Sequence, residues 1–165
     1  MKTIYLAIVS VLLITACDND LDQTPPLLLE SSALEEFGPV LNAAYYYQSG
    51  GSTPLGVMGD FRADNMLMLE SPYTAFDTYN ADLGGLDLVE QFFRPFYSNL
   101  YKAILSTNNV IDNSTDATEI AEAKFLRALS YFKLVMVFGD VTVNLSPAPS
   151  PSDLSILTRQ PAADV

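Results

Sequence analysis

A short segment in the middle of the sequence combines charged and amide groups with three aromatic rings. A sugar presents an apolar ring face and a rim of hydroxyl groups, which suit aromatic and polar side chains respectively. Each aromatic ring is also compatible with ordinary packing in a core. The candidate ligand-binding residues are Asp60, Arg62, Asp64, Asn65, Tyr73, Phe76 and Tyr79.

Asp60 and Asp64 could also form a carboxylate pair for glycoside hydrolysis. We favour the alternative that they cap turns or pair with Arg62. The sequence contains no His, and no nucleophile lies at a recognisable spacing from a base. We therefore expect a protein that is not an enzyme, with no catalytic residue and no cofactor.

Two acidic stretches could suggest a calcium site. Asp18, Asp20 and Asp22 alternate, but the glycine that a calcium loop needs for its sharp turn is absent. The stretch from Asp112 to Glu119 is explained more simply by helix capping. We expect no bound metal.

The chain begins like an exported protein. Lys2 precedes an apolar run over residues 4–14, which as a helix would be only about 16 Å long and too short to span a bilayer comfortably. Residues 1–16 therefore indicate a cleavable signal peptide, with a short buried helix as the alternative. Residues 14–17 (ITAC) resemble the lipobox of bacterial lipoproteins, in which the cysteine is lipidated and becomes the first residue. This resemblance makes Cys17, the single cysteine, the expected lipid anchor, with a free thiol as the alternative.

Charge excludes some partners. The net charge is −12, and removal of residues 1–16 would take away one positive charge and no negative one. Nucleic acid is a poor partner for such a negative field. Direct attraction to anionic lipid is not expected either, so association with a membrane must be covalent. Residues 17–30 are acidic and contain two prolines, which predicts an extended tether between the lipid and a folded domain over residues 31–165.

Helical periodicity dominates the remaining chain. Apolar spacing predicts a first helix capped by Ser31 or Ser32, kinked at Pro39 and ended by the tyrosines at 45–47, of which at least one should be core. Residues 50–90 contain many glycines and no sustained period, so we expect long loops of the kind that carry function.

Two further helices are predicted. One covers about residues 89–112, and the next is capped by Asp116 with Glu119 and stops at Gly139. The second has only a narrow polar stripe, which leaves an apolar surface too broad for one neighbour. Residues 160–165 look like the start of another helix, so we expect the chain to be a fragment of a larger helical protein.

Two strings carry a family resemblance. The residues at 122–132 (EAKFLRALSYF), followed by 138–141 (FGDV), strongly resemble the SusD/RagB family of outer-membrane nutrient-uptake lipoproteins. Upstream, Tyr97, Tyr101, Ile104 and the asparagines at 108–109 resemble its preceding helix. The chain departs from the family pattern in having Thr142 where Pro is usual and no Trp anywhere.

The resemblance implies an all-α, tetratricopeptide-like superhelix with loop-built ligand surfaces, of which this chain would be an incomplete N-terminal part. It implies a lipid-anchored protein on the outer face of the outer membrane. Such a protein would capture oligosaccharides, or in some members peptides, and deliver them to a TonB-dependent, SusC-like transporter. The competing hypothesis is a helical scaffold lipoprotein that binds only other proteins, and an extracellular hydrolase is a more distant one.

Overall fold

The computed structural model describes residues 34–63, 66, 67, 69, 74, 89–150, 152, 153 and 157–165. All of them belong to one compact unit that extends from Leu34 to Val165. Most of the described residues are helical and only four are in strands, which agrees with the predicted all-α class. The predicted signal peptide, Cys17 and the acidic tether lie outside the described residues.

Helix α1 covers Gly38–Gly50 and starts later than predicted. Pro39 lies in its first turn, where a missing N–H costs nothing because the first amides of a helix have no intrahelical acceptor. The proline therefore marks the start of α1, so the expected kink is wrong. Phe37 stands at the N-cap position of α1, and the expected caps Ser31 and Ser32 lie outside the described residues. The tyrosines at 45–47 lie inside the helix, which ends at Gly50.

Helix α2 covers Ser52–Arg62 and follows α1 with only Gly51 between them. This segment was expected to be a loop, and that prediction is wrong. Met58 is buried and Leu55 packs against the same apolar cluster. Tertiary packing thus stabilises a helix that contains two glycines of poor intrinsic propensity.

The next helical segment begins with a π-helical turn, Val89–Phe93, and continues as α3, Arg94–Asn113. Its position confirms the predicted helix over residues 89–112. Pro95 again lies in the first turn of the α-helix.

Helix α4 covers Ala117–Phe138 with the two ends that were predicted. Asp116 caps it, since its carboxylate accepts a hydrogen bond from the Thr118 amide at 2.7 Å. Glu119 does not close the expected capping box and instead accepts a hydrogen bond from the Ser114 hydroxyl at 2.6 Å. Gly139 ends the helix with a φ of 69°, a conformation that favours glycine.

A small antiparallel pairing follows α4. Strand β1, Val141–Thr142, pairs with β2, Arg159–Gln160. A short 3-10 turn, Ala162–Asp164, comes after β2, where the sequence suggested the start of a helix. The Ala162 amide donates to the Asp140 carboxylate at 3.0 Å, which ties this turn to the end of α4.

Helices α1, α3 and α4 pack against one another, and α3 and α4 are joined by three residues. Contacts between α3 and α4 pair early residues of one with late residues of the other, as in Phe96 with Phe138 and Asn108 with Arg127, so these two helices are antiparallel. The same relation holds between α1 and α3. Helices α1 and α4 therefore run in the same direction, each antiparallel to α3, and they also contact each other.

Two apolar clusters form the core. One is built from seven buried residues, Met58, Phe96, Leu100, Ile104, Tyr131, Leu134 and Val141. The other is built from six, Phe37, Leu41, Ala44, Val110, Ala123 and Leu126. Along the helices, buried polar residues lie between members of the two clusters: Gln48, Thr107, Asn108 and Ser130.

Among the described residues no helix has both the length and the apolar character needed to cross a membrane.

Candidate functional site

The predicted ligand-binding residues fall mostly outside the described part of the chain. Asp64, Asn65, Tyr73, Phe76 and Tyr79 are not among the described residues. The other two predicted residues are in the C-terminal turn of α2, and so they lie on a helix rather than on the loop that was expected.

Of those two residues, Asp60 is exposed, and its carbonyl accepts the amide of Ala63 at the end of the helix. Among the described residues, the structure therefore places one predicted polar group, the Asp60 side chain, at the surface.

The residues that carry the family resemblance converge on the segment after β1. Asn108 is completely buried on α3, and its amide nitrogen donates to the carbonyls of Asn144 at 3.0 Å and Ser146 at 3.1 Å. Its side-chain oxygen accepts a hydrogen bond from Arg127 at 2.9 Å. Asn108 thus uses both ends of its amide to hold α3, α4 and the segment after β1 together. We call this arrangement the Asn108 junction.

Two tyrosines extend the Asn108 junction. The Tyr131 hydroxyl donates to the Asn144 carbonyl at 2.9 Å and accepts from the Asn144 amide at 2.8 Å. The Tyr101 hydroxyl donates to the Thr142 carbonyl at 2.7 Å. Burial raises the pKa of both hydroxyls, because ionisation would place a negative charge in a poorly solvated site. These tyrosines position backbone and offer no free group for chemistry.

Aromatic rings pack beside the junction at the C-terminal end of α4. The rings of Tyr97 and Tyr101 lie 4.6 Å apart, and Tyr97 meets Phe138 edge to face at 5.3 Å. Phe96 packs 6.0 Å from the same phenylalanine ring. Tyr97 therefore takes part in core packing even though it is partly exposed.

Gln48 connects α1 to α4 through a second buried polar group. Its amide nitrogen donates to the Leu126 carbonyl at 3.1 Å and to the Ser130 hydroxyl. The Lys133 ammonium donates to the amide oxygen of Gln48 at 2.8 Å. Partial burial lowers the pKa of Lys133, because it penalises the charged ammonium. Among the described residues, no buried side-chain nitrogen or oxygen lacks a hydrogen bond.

Three polar residues of α4, Arg127, Ser130 and Lys133, bond to neighbouring helices, whereas part of the apolar surface of α4 faces solvent. Phe125 is 65% exposed, Phe132 is 62% exposed and Met136 is 55% exposed. Together with the exposed Ala121 and Ala128 they recur at intervals of three and four residues, so they share one face of the helix. We call this face the outer stripe of α4.

A groove of about 440 Å³ runs beside the outer stripe. Lys124, Arg127 and Phe132 line it from α4, and Leu145 and Val165 line it from the later segments. Its volume lies within the range of roughly 300–1,000 Å³ of small-molecule pockets, but its lining mixes cations, acids and apolar groups with no convergent polar set.

A smaller recess of about 130 Å³ lies between α1 and α3. It is lined by Tyr46, Tyr47, Ser49 and Gly50 from α1 and by Asn99 from α3. We call it the tyrosine recess. None of the three tyrosines at 45–47 is buried, so the expectation that one of them is core is wrong.

The sequence interpretation missed the tyrosine recess, because it took the three tyrosines only as the end of the first helix with at least one of them in the core. The exposure of Tyr46, at 73%, follows from how α1 packs on α3 rather than from local pattern. The signal available in the sequence was the density of aromatic residues next to a glycine pair at 50–51.

An acidic recess of about 470 Å³ lies between the start of α1 and the turn before α4, with Glu35, Glu36, Asp116 and Glu119 in its lining. The last two of these carboxylates already serve the cap of α4. Across the described ranges, no group of three or more His, Cys, Asp or Glu side chains is arranged to hold a metal ion.

Comparison of the chain with models of protein families, with curated proteins and with solved structures finds no match.

Proposed function

We propose that this chain is part of a cell-surface lipoprotein, anchored through Cys17 on the outer face of the outer membrane. It captures oligosaccharides, or another nutrient such as a peptide, and delivers them to a TonB-dependent, SusC-like transporter. In this proposal the protein binds and does not catalyse. The proposal rests on the resemblance of residues 122–132 and 138–141 to the SusD/RagB family.

The Asn108 junction is the observation that supports this proposal best. Residues that carry the resemblance lie far apart in the sequence, yet Asn108 bonds Arg127 directly and Tyr101 bonds the segment just beyond the FGDV string. A set of residues that together hold one junction has a structural reason to occur together. Their joint presence is therefore more informative than any one of the short strings alone.

We also propose that the helices form part of a tetratricopeptide-like superhelix. Helices α3 and α4 make an antiparallel hairpin, which is the unit that such superhelices stack. The outer stripe of α4 supports further stacking, since a helix with apolar residues on its outward face is usually covered by another element.

The same stripe favours the second candidate, a scaffold lipoprotein that binds only other proteins. Large exposed apolar side chains at helical spacing fit the groove-and-helix mode of protein recognition. The two candidates differ in whether a soluble ligand binds at all.

Lipidation and ligand capture can be tested separately. Expression with metabolically labelled fatty acid should label the wild-type chain and leave Cys17→Ser unlabelled, with the wild type in the outer-membrane fraction. The intact chain, solubilised in detergent, should then bind members of a panel of neutral oligosaccharides by isothermal titration calorimetry.

Capture of a β-barrel transporter together with saccharide binding supports the delivery role. Capture of other proteins with no saccharide or peptide binding favours the scaffold. Hydrolysis of a polysaccharide by the pure protein would contradict the proposal that it is not an enzyme.

A further inference from the structure

We propose that the tyrosine recess binds one neutral pyranose unit of an oligosaccharide. This proposal rests on the proposed function and assigns to it a binding position outside the predicted residues at 60–79. The recess is formed entirely by described residues of α1 and α3.

Tyr46 supplies the apolar surface. It is 73% exposed, and its ring meets Tyr47 edge to face, with centroids 5.6 Å apart and planes inclined by 66°. One ring face of Tyr47 lies below the Lys102 ammonium, 5.7 Å from the centroid. A face of Tyr46 is therefore left to stack against the C–H groups of a sugar ring, while Tyr47 is held in place by its cation.

The polar lining of the tyrosine recess suits hydroxyl groups. Asn99 offers an amide donor and acceptor from α3, and Ser49 retains its lone pairs because its proton is donated to the Tyr46 carbonyl at 2.6 Å. A sugar hydroxyl both donates and accepts, so it can use both groups. None of the five lining residues is charged, which favours a neutral ligand over a phosphate or a carboxylate.

The dimensions indicate one sugar unit. A recess of about 130 Å³ is well below the roughly 300–1,000 Å³ of pockets that enclose a whole ligand. The remaining units of a chain would extend over solvent-exposed surface beside Tyr46. Gly50 lets the Asn99 side chain lie directly against α1, because a Cβ at residue 50 would stand 2.5 Å from the amide nitrogen of Asn99.

The test uses the intact chain in detergent and four probes: maltohexaose, cellohexaose, xylohexaose and mannohexaose. Affinity is measured by calorimetry, and ring contacts by saturation-transfer NMR. Tyr46→Ala should weaken binding of the preferred hexasaccharide about tenfold, since it removes the stacking ring. Asn99→Ala should weaken it about threefold or more through the lost hydrogen bonds.

Gly50→Ala should also weaken binding, because the new methyl group displaces the Asn99 amide without removing an aromatic ring. Gly56→Ala is its matched control, since a Cβ at Gly56 meets nothing within 4 Å. Tyr45→Ala is the control for Tyr46, because Tyr45 is also exposed but bonds Glu122 and does not line the recess. Both controls should bind as the wild type does.

Each outcome decides something. If the wild type binds a hexasaccharide and Tyr46→Ala and Gly50→Ala bind it equally well, the tyrosine recess is not the site, while the proposed function stands. If the wild type binds none of the four probes, both the recess and the glycan-capture function are contradicted. Tetra-alanine is added as a peptide probe: if Tyr46→Ala abolishes its binding and leaves hexasaccharide binding unchanged, the recess takes peptides and its assignment to sugars is wrong.

Discussion

At the scale of single residues, Asn108 connects three parts of the molecule through one side chain. One buried amide satisfies two backbone carbonyls beyond β1 and one guanidinium from α4. Removal of the side chain would take this partner from the Ser146 carbonyl and the Arg127 guanidinium, while the Asn144 carbonyl would keep only the Tyr131 hydroxyl. Buried polar groups that lose a partner cost more than the hydrogen bond itself contributed.

We therefore expect Asn108→Ala to lower the free energy of unfolding by about 3 kcal/mol. Asn109→Ala is the matched control, because the neighbouring asparagine bonds only Asn113 within α3 among the described residues, and it should change stability by less than about 1 kcal/mol. Urea denaturation followed by circular dichroism measures both. If Asn108→Ala were as stable as the wild type, the Asn108 junction would not contribute to the stability of the fold.

Tyr101 makes the structure sensitive to alkaline pH. Burial raises the pKa of its hydroxyl, so the folded state keeps a proton that the unfolded state loses above the ordinary tyrosine pKa of about 10. Stability contributed by this neutral hydroxyl is therefore present below pH 10 and falls as the pH rises above it. Tyr131 has a raised pKa for the same reason and adds to the effect.

Tyr101→Phe should lower the free energy of unfolding by about 1 kcal/mol at pH 7, because the Thr142 carbonyl loses its donor. The difference from wild type should shrink as the pH rises above about 10. Only the wild type has a phenol at position 101 that stays protonated when folded and ionises on unfolding, so only its free energy of unfolding falls with pH through this group. Denaturation curves between pH 7 and alkaline pH test this. A gap between the two proteins that stays constant with pH would show that Tyr101 ionises normally in the folded state.

At the scale of elements, the ends of α4 are set by local chemistry. Gly139 adopts a φ of 69° and a ψ of −122°, and a Cβ there would meet no atom within 4 Å. The cost of a side chain at this position is thus backbone strain alone, with no steric clash to add to it.

Gly139→Ala should lower the melting temperature and reduce the free energy of unfolding by about 1–3 kcal/mol. Gly59→Ala is the comparison, because Gly59 lies inside α2 with open space around its Cβ position and no positive φ. That variant should be neutral or more stable by up to about 1 kcal/mol. If both variants were destabilised to the same extent, the positive φ at Gly139 would not be the reason for the loss of stability.

These ends explain why α4 could be predicted well from sequence. An aspartate cap and a terminal glycine act through neighbouring backbone groups, so their effect is visible in a short window. Pro39 was ambiguous by the same local rules, because a proline can kink a helix or begin one. Only the packing of Phe37 and Leu41 against α4 and α3 settles that α1 begins there.

Non-local contacts account for the other errors. Helix α2 is stabilised by the burial of Met58, and β2 exists because it pairs with β1 across sixteen intervening residues. Neither partner is visible in a local window. The tyrosine recess depends in the same way on Asn99 of α3 standing beside α1.

At the scale of the whole molecule, α4 buries polar side chains against its neighbours and exposes large apolar side chains to solvent. Ser130 is fully buried and Lys133 is partly buried against Gln48, while Phe125 and Phe132 face solvent. A helix that buries polar groups on one side and exposes phenylalanines on the other is arranged for two neighbours. Helices α1 and α3 supply one side, and the outer stripe of α4 is the surface for the other.

The outer stripe can be tested by adding charge to it. The double variant Phe125→Lys and Phe132→Lys should change the free energy of unfolding of this chain by less than about 1 kcal/mol, because both rings are already exposed. It should also reduce self-association at high concentration, since a contiguous apolar patch is replaced by like charges. Chemical denaturation and sedimentation velocity give the two quantities.

Leu134→Ala serves as the control on the inner side of the same helix. Leu134 is completely buried in the first apolar cluster, so its truncation should cost about 2–5 kcal/mol. If the double lysine variant instead loses as much stability as Leu134→Ala, the two phenylalanines are buried within this chain and the outer stripe is not a free surface. If it keeps its stability and becomes more soluble, α4 has a face whose partner lies outside the described residues, as stacking in a superhelix requires.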